Sequence, residues 1–136
     1  MSGDIESMRI ITIFPAAPLP FGDTAARWFY VLTKGLLARG HEVVCLVVTE
    51  EQEQLLVESQ RLLQNAGGSG NLTFQVFSPV PTCHPLKRKI RSMLKPFSEI
   101  YYAGGLREAL LAETRRGYDI LHLEQLWTGW LGTDAK

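Results

Sequence analysis

The chain has little cysteine, no long apolar run and no excess of charge, and each shortage removes a class of protein. Two cysteines, Cys45 and Cys83, in 136 residues cannot build a disulfide framework. Cys45 also lies in an apolar run, where a reduced thiol packs as a small hydrophobe, so a reducing compartment is expected. The polar, acidic residues 1–8 lead into only six apolar-rich residues. That is neither a signal peptide nor the roughly 20 residues of a membrane span, and the expected location is the cytoplasm. There the sequon Asn71-Leu72-Thr73 reads as a chance match. Basic and acidic residues balance at 14 each, which lacks the electrostatic footprint of a nucleic-acid binder. Cys83-His84 has no further Cys or His at ligand spacing, so no metal site is expected.

What is present is an ordinary globular composition, 46% hydrophobic and 21% charged, at a length that suits one domain. Arg9–Phe14 (RIITIF) is a short β-branched run stopped by Pro15 and reads as a strand. A proline-rich loop, residues 15–22, follows. Asp23 or Thr24 then caps a helix whose expected apolar face is Ala25, Trp28, Phe29, Leu32 and Leu36, closed by Gly40. Glu42–Val48 (EVVCLVV) is apolar at nearly every position, the pattern of a parallel strand covered on both faces. Thr49 and Gln52 are spaced as a capping box for a helix with Leu55, Leu56, Leu62 and Leu63 on its apolar side. Leu72, Phe74 and Val76 alternate with Thr73 and Gln75, as in a strand near a sheet edge. Residues 97–116 carry Ile100, Ala103, Leu106, Leu110 and Leu111 on one helical side, with Gly104-Gly105 breaking or bending the helix. Residues 118–123 (YDILHL) form the last strand and 125–131 (QLWTGWL) open another helix.

This alternation of strand and helix predicts an α/β fold: an open parallel sheet of order 3-2-1-4, with right-handed crossovers and helices on both faces. Ligands of such sheets bind at the carboxyl ends of the strands, where the strand order reverses. Here that point lies between the first and fourth strands, so loop 15–23 and segment 122–130 are expected to face each other. A dinucleotide site would need Gly-x-Gly-x-x-Gly after the first strand. The loop Pro15-Ala16-Ala17-Pro18-Leu19-Pro20-Phe21-Gly22-Asp23 has one glycine and argues against that use, although Glu50 sits near the position of a ribose-binding acid. The helix start beyond Gly22 offers free N–H groups to an anion, but Asp23 would repel one.

The stretch from MRIITIF to CLVV, with its proline loop ending near glycine and its phrase Arg39-Gly40-His41-Glu42-Val43, resembles the opening of family 4 GT-B glycosyltransferases. YDILHLE resembles that family's later strand, in which an aspartate precedes an apolar pair and then a histidine. The resemblance covers nearly the whole chain. It implies a Rossmann-like N-terminal, acceptor-side half of a two-domain enzyme that moves a sugar from a nucleotide-sugar donor to a hydroxyl acceptor, a glycan or a lipid-linked one. No metal or cofactor is implied. The donor-binding domain, with its pair of glutamates seven residues apart, is not in this sequence, so the expectation is a fragment that does not turn over alone and whose fourth strand is an exposed apolar edge.

The family's Gly-Gly pair in the first loop corresponds to Phe21-Gly22, and its second histidine in the later strand to Glu124. Phe21, Gly22, Asp23, His122 and Glu124 are therefore the candidate substrate-binding residues. No catalytic residue is assigned. His122, near the end of an apolar strand, reads as a packed core histidine more readily than as a catalyst, and Glu124 as an acceptor-hydroxyl partner, a base or a helix cap. Lys87, Arg88, Lys89, Arg91 and Lys95 interleave with Leu86, Ile90, Leu94 and Phe97 at helical spacing. This is either a solvated face over a core or a basic amphipathic helix at an anionic membrane surface. Trp127 and Trp130 would pack a further layer or stack on a sugar. The competing readings are a nucleotide-sugar epimerase or dehydrogenase on the same sheet, and a truncated binding module without catalysis.

Overall fold

The apolar runs Arg9–Phe14 and Glu42–Val48 are strands buried on both faces. In the computed structural model, which describes residues 6–66, 68–78 and 105–124, β1 (Arg9–Phe14), β2 (Glu42–Val48), β3 (Asn71–Phe77) and β4 (Ile120–Leu123) form one sheet of order β3-β2-β1-β4. All of its neighbouring pairs are parallel. The helices are α1 (Thr24–Ala38), α2 (Glu53–Ala66) and α3 (Leu106–Arg115). The fold is a Rossmann-like α/β arrangement.

The period-2 alternation of each strand divides the core into two layers. Ile11, Ile13, Val44, Leu46 and Val48 pack with Leu106 and Leu110 of α3. Phe14, Val43, Cys45 and Val47 pack with Phe29 and Leu37 of α1 and Leu63 of α2. That α1 and α2 share one face while α3 takes the other follows from crossover hand. The chain steps from β1 to β2 to β3 in one direction and returns to β4 in the other, and a constant right-handed crossover then changes face. In β3, Leu72 and Phe74 join the α1 and α2 layer while Val76 is exposed, as expected of the edge strand.

One residue of the α1 face and the start of α2 differ from the sequence reading. The face of α1 that enters the core is Ala26, Phe29, Thr33 and Leu37, and Trp28 is 55% exposed. Phe29 and Trp28 are about 100° apart on the helix, and it is Phe29 that is buried, stacked on Phe14, while Ala25, Leu32 and Leu36 of the expected face are half-buried against the same layer. Thr49 does not cap α2. Its backbone N–H extends the sheet to Phe77 O and its hydroxyl accepts from Glu51 N at 3.2 Å. Gln52 O takes the first helical bonds, from Leu55 N and Leu56 N.

The phrase Arg39-Gly40-His41-Glu42-Val43 is built from structural tasks at the amino ends of the strands. Gly40, at φ 85°, ends α1, its N–H bonding Leu37 O while His41 N–H bonds Leu36 O, the paired bonds of a Schellman stop. The buried His41 imidazole accepts Met8 N–H at Nδ1, and Glu42 pairs with Arg9. Gly70 crosses this turn so closely that a Cβ there would lie 2.6 Å from both Leu37 O and His41 O. Arg9 also ties α3 to β1, pairing with Glu113 and donating to the carbonyls of Glu113 and Gly117 at 2.8 and 2.6 Å. Burial works to lower the Arg9 pKa, but the bonds to Glu113 and Glu42 outweigh it and the net shift is upward.

Among the described residues no helix is long and apolar enough to cross a membrane, and no group of three or more His, Cys, Asp or Glu could hold a metal ion.

Candidate functional site at the carboxyl ends of β1 and β4

The reversal of strand order places β4 directly beside β1, with Thr12 opposite His122 and Ile13 opposite Leu123. The ladder continues one residue further, where Glu124 N donates to Ile13 O at 3.2 Å. His122 and Glu124 are two residues apart on a strand and so point to the same side. His122 Nε2 lies 3.2 Å from Glu124 Oε2, and both side chains are about one third exposed or less. The other ring nitrogen, Nδ1, is buried and has no hydrogen-bond partner among the described residues. A ring that carries a proton on Nε2 can donate it to Glu124.

The imidazole is also held by packing. Phe14, the last residue of β1, stands edge-on to it with centroids 6.2 Å apart and stacks on Phe29 of α1 at 4.4 Å. A continuous aromatic contact therefore runs from α1 through β1 to His122. Histidine as a packed strand residue, the bland reading of the sequence, describes the Nδ1 side. The Nε2 side opens toward the carboxyl end with a carboxylate beside it.

Loop 15–23 leaves β1 in the other direction, over α2. Ala17 and Leu19 are buried with Ala26 against Leu55, Leu56 and Leu62. Ala17 N donates to Glu51 Oε2 at 3.0 Å, Ser59 Oγ donates to Pro18 O, and Leu19 N donates to Ala26 O at 3.1 Å. The loop then rises to exposed Phe21, Gly22 and Asp23. Gly22 is in the left-handed region at φ 100°, where an added Cβ would meet only ordinary contact with Ala26, so the glycine serves backbone conformation rather than space. Asp23 is the N-cap of α1, Oδ1 accepting from Ala26 N at 2.8 Å. The contacts that fix this loop run to α2, to Glu51 just before it and to Ala26 of α1, whereas His122 and Glu124 are held beside β1. Among the described residues the two halves of the expected site meet through Phe14 and Ile13, and residues 125–130 of the second half lie outside the described residues.

Sequence reasoning singled out Glu50 as the acid after β2. Glu50 is exposed, and it is Glu51 that engages the β1 loop. The doublet Glu50-Glu51 was the available signal, but which of the two faces the loop depends on how the chain turns after Thr49. The basic residues Lys87, Arg88, Lys89, Arg91 and Lys95, the pair Cys83-His84, and Trp127 and Trp130 lie outside the described residues. Cys45 is deep in the α1 and α2 layer, where burial pushes its thiol up to about 11 against the lowering effect of the Thr12 and Thr33 hydroxyls, and it has no part in the site. Compared with protein-family models, with curated proteins and with solved structures, the chain matches none.

Proposed function

We propose that the chain is the acceptor-side α/β unit of a glycosyltransferase, one that transfers a sugar from a nucleotide-sugar donor to a hydroxyl acceptor lying over the carboxyl ends of β1 and β4. The observation that carries the reading is the His122 and Glu124 pair at the reversal of strand order, the place where open α/β sheets take their ligands. A carboxylate beside an oriented imidazole can accept the proton of a sugar or glycan hydroxyl by hydrogen bonding, and positions that hydroxyl for attack. The loop after β1 supports the same reading by what it does not offer: it lacks the glycines of a dinucleotide loop, and Ala17 N–H is already given to Glu51. Gly22 allows the left-handed backbone turn before α1, where Phe21, Gly22 and Asp23 would border the acceptor.

The resemblance of the sequence to family 4 glycosyltransferases supplies the donor class. The basic run from Lys87 to Lys95 belongs to the proposal as well, as a contact with anionic lipid; cosedimentation with phosphatidylserine vesicles that is lost on neutralising these residues is the expected result.

The test of the function is release of nucleoside diphosphate when the protein, together with any residues that follow Lys136 in the intact gene product, meets nucleotide-sugars and hydroxyl acceptors. E124A is expected to remove acceptor-dependent release. Tight NAD binding without any such release would replace the reading with that of an epimerase or dehydrogenase.

A further inference from the structure

We infer that the free edge of β3 is an interface for a second copy of this chain, the two β3 strands pairing antiparallel about a two-fold axis at Phe74.

The ladder of β3 fixes which of its groups face outward. Asn71 N–H donates to His41 O and Phe77 O accepts from Thr49 N–H, so the odd-numbered residues of the strand turn their backbone groups toward β2. Backbone groups alternate sides along a strand, and the N–H and C=O of Leu72, Phe74 and Val76 therefore point away from the sheet. Among the described residues no strand lies beyond them, and these groups have no backbone partner. Sheet edges are commonly blunted by a lysine, a proline or a bulge. Residues 71–77 contain no charged residue and no proline, and their register with β2 runs unbroken from Asn71 to Phe77.

The strand's own symmetry identifies the occupant. Leu72-Thr73-Phe74-Gln75-Val76 reads apolar, polar, apolar, polar, apolar from either end. An antiparallel copy centred on Phe74 sets Leu72 opposite the second Val76, Phe74 opposite the second Phe74, and Val76 opposite the second Leu72. Each is a pair of outward-facing residues, and such a pair exchanges both of its hydrogen bonds. Every outward N–H and C=O of Leu72, Phe74 and Val76 is then satisfied. Any other centre leaves at least one of the three without an outward-facing partner in β3.

The side chains match in the same register. Leu72, Phe74 and Val76 share the sheet face of α1 and α2, where Leu72 and Phe74 are half-buried and Val76 is 39% exposed, so apolar meets apolar there. Thr73 meets Gln75 on the opposite face. A charged partner would find no counter-charge along this strand. Because β4 lies at the opposite edge of the sheet, the pairing is independent of the acceptor reading.

Sedimentation equilibrium of the native protein, V76K and V31K tests this. Val31, on α1, is 61% exposed, so V31K makes the same change away from the edge. Expected is a native mass that approaches twice that of the chain with rising concentration, dissociation at least about tenfold weaker-binding in V76K, and no change in V31K. Protection from hydrogen exchange at the Thr73 and Gln75 amides, which bond to β2, verifies that V76K is folded. In the native protein, protection of the Leu72, Phe74 and Val76 amides should rise with concentration, and a sample mixed from two differently labelled copies should show Leu72 of one near Val76 of the other. A monomer at all concentrations overturns the inference, as does a dimer that V76K leaves intact, that V31K weakens equally, or that lacks the Leu72 and Val76 contact. Protection of the three outward amides in the monomer also overturns it, since another stretch of the chain would then cover the edge.

Discussion

Phe14 stands edge-on to the His122 imidazole at 6.2 Å and stacks its ring on Phe29, so the end of β1 links the first helix to the candidate site. Replacing Phe14 by leucine keeps an apolar side chain but removes the ring edge. We expect F14L to cost about 1–2 kcal/mol in urea unfolding and to shift the His122 ring resonances. An unmoved His122 signal would show that Phe14 fills the core without positioning the imidazole.

Arg9 and Glu113 join β1 to α3 across 104 residues with little solvent access, their side chains 13% and 9% exposed. Removing one partner leaves the other charge without its main counterpart, so R9A and E113A are each expected to destabilise by about 3 kcal/mol. The double variant should lose less than the sum. Full additivity in chemical denaturation would mean that the two residues act independently.

Two glycines that look alike in the sequence should respond with opposite sign. Gly35 lies inside α1, where a Cβ would meet only the flexible end of Arg39 at 3.5 Å, and G35A should gain about 0.5–1 kcal/mol from helix propensity. Gly70 would place its Cβ against the carbonyls of Leu37 and His41, and G70A should lose about 2–3 kcal/mol. The order of the two melting temperatures is the readout.

Burial holds the Cys45 thiol at about 11, above its ordinary value of 9.0. Between these values the unfolded chain has lost the proton and the native one retains it, so stability falls as pH rises from 9 toward 11. The fall specific to this group is about 2–3 kcal/mol over that window. It is read as the difference between C83S and C83S/C45A, which cancels the other groups that titrate there. Parallel pH profiles of the two variants would show that Cys45 does not contribute.

The sheet was legible because its strands differ in coverage. EVVCLVV has no polar alternation and lies second from the edge, LTFQV alternates and lies at the edge, and the order β3-β2-β1-β4 follows from these patterns with the crossover rule. Strand bounds agreed to within two residues at either end. On the expected face of α1, Phe29 is buried and Ala25, Leu32 and Leu36 pack against the core while Trp28 is exposed, because the size of a hydrophobe does not say which flank of a helix meets the sheet. The start of α2 was misread because Thr49 and Gln52 have capping-box spacing, while the Thr49 N–H is taken by β3, a pairing between residues distant in sequence. At the site, the positions of His122 and Glu124 followed from the strand order. The Glu51 contact with Ala17 and the orphaned Nδ1 did not, since both arise from how separate loops and strands meet in space.

The most direct test of the central claim is a titration of the isotopically labelled protein with an uncharged methyl glycoside and, separately, with NAD, observed at backbone amides. Binding over the β1 and β4 ends predicts that the glycoside moves Gly22, Asp23, His122 and Glu124, that E124A abolishes these changes, and that NAD leaves the four residues unmoved. NAD shifting Gly22 and Asp23 while the glycoside shifts none of the four would contradict the account.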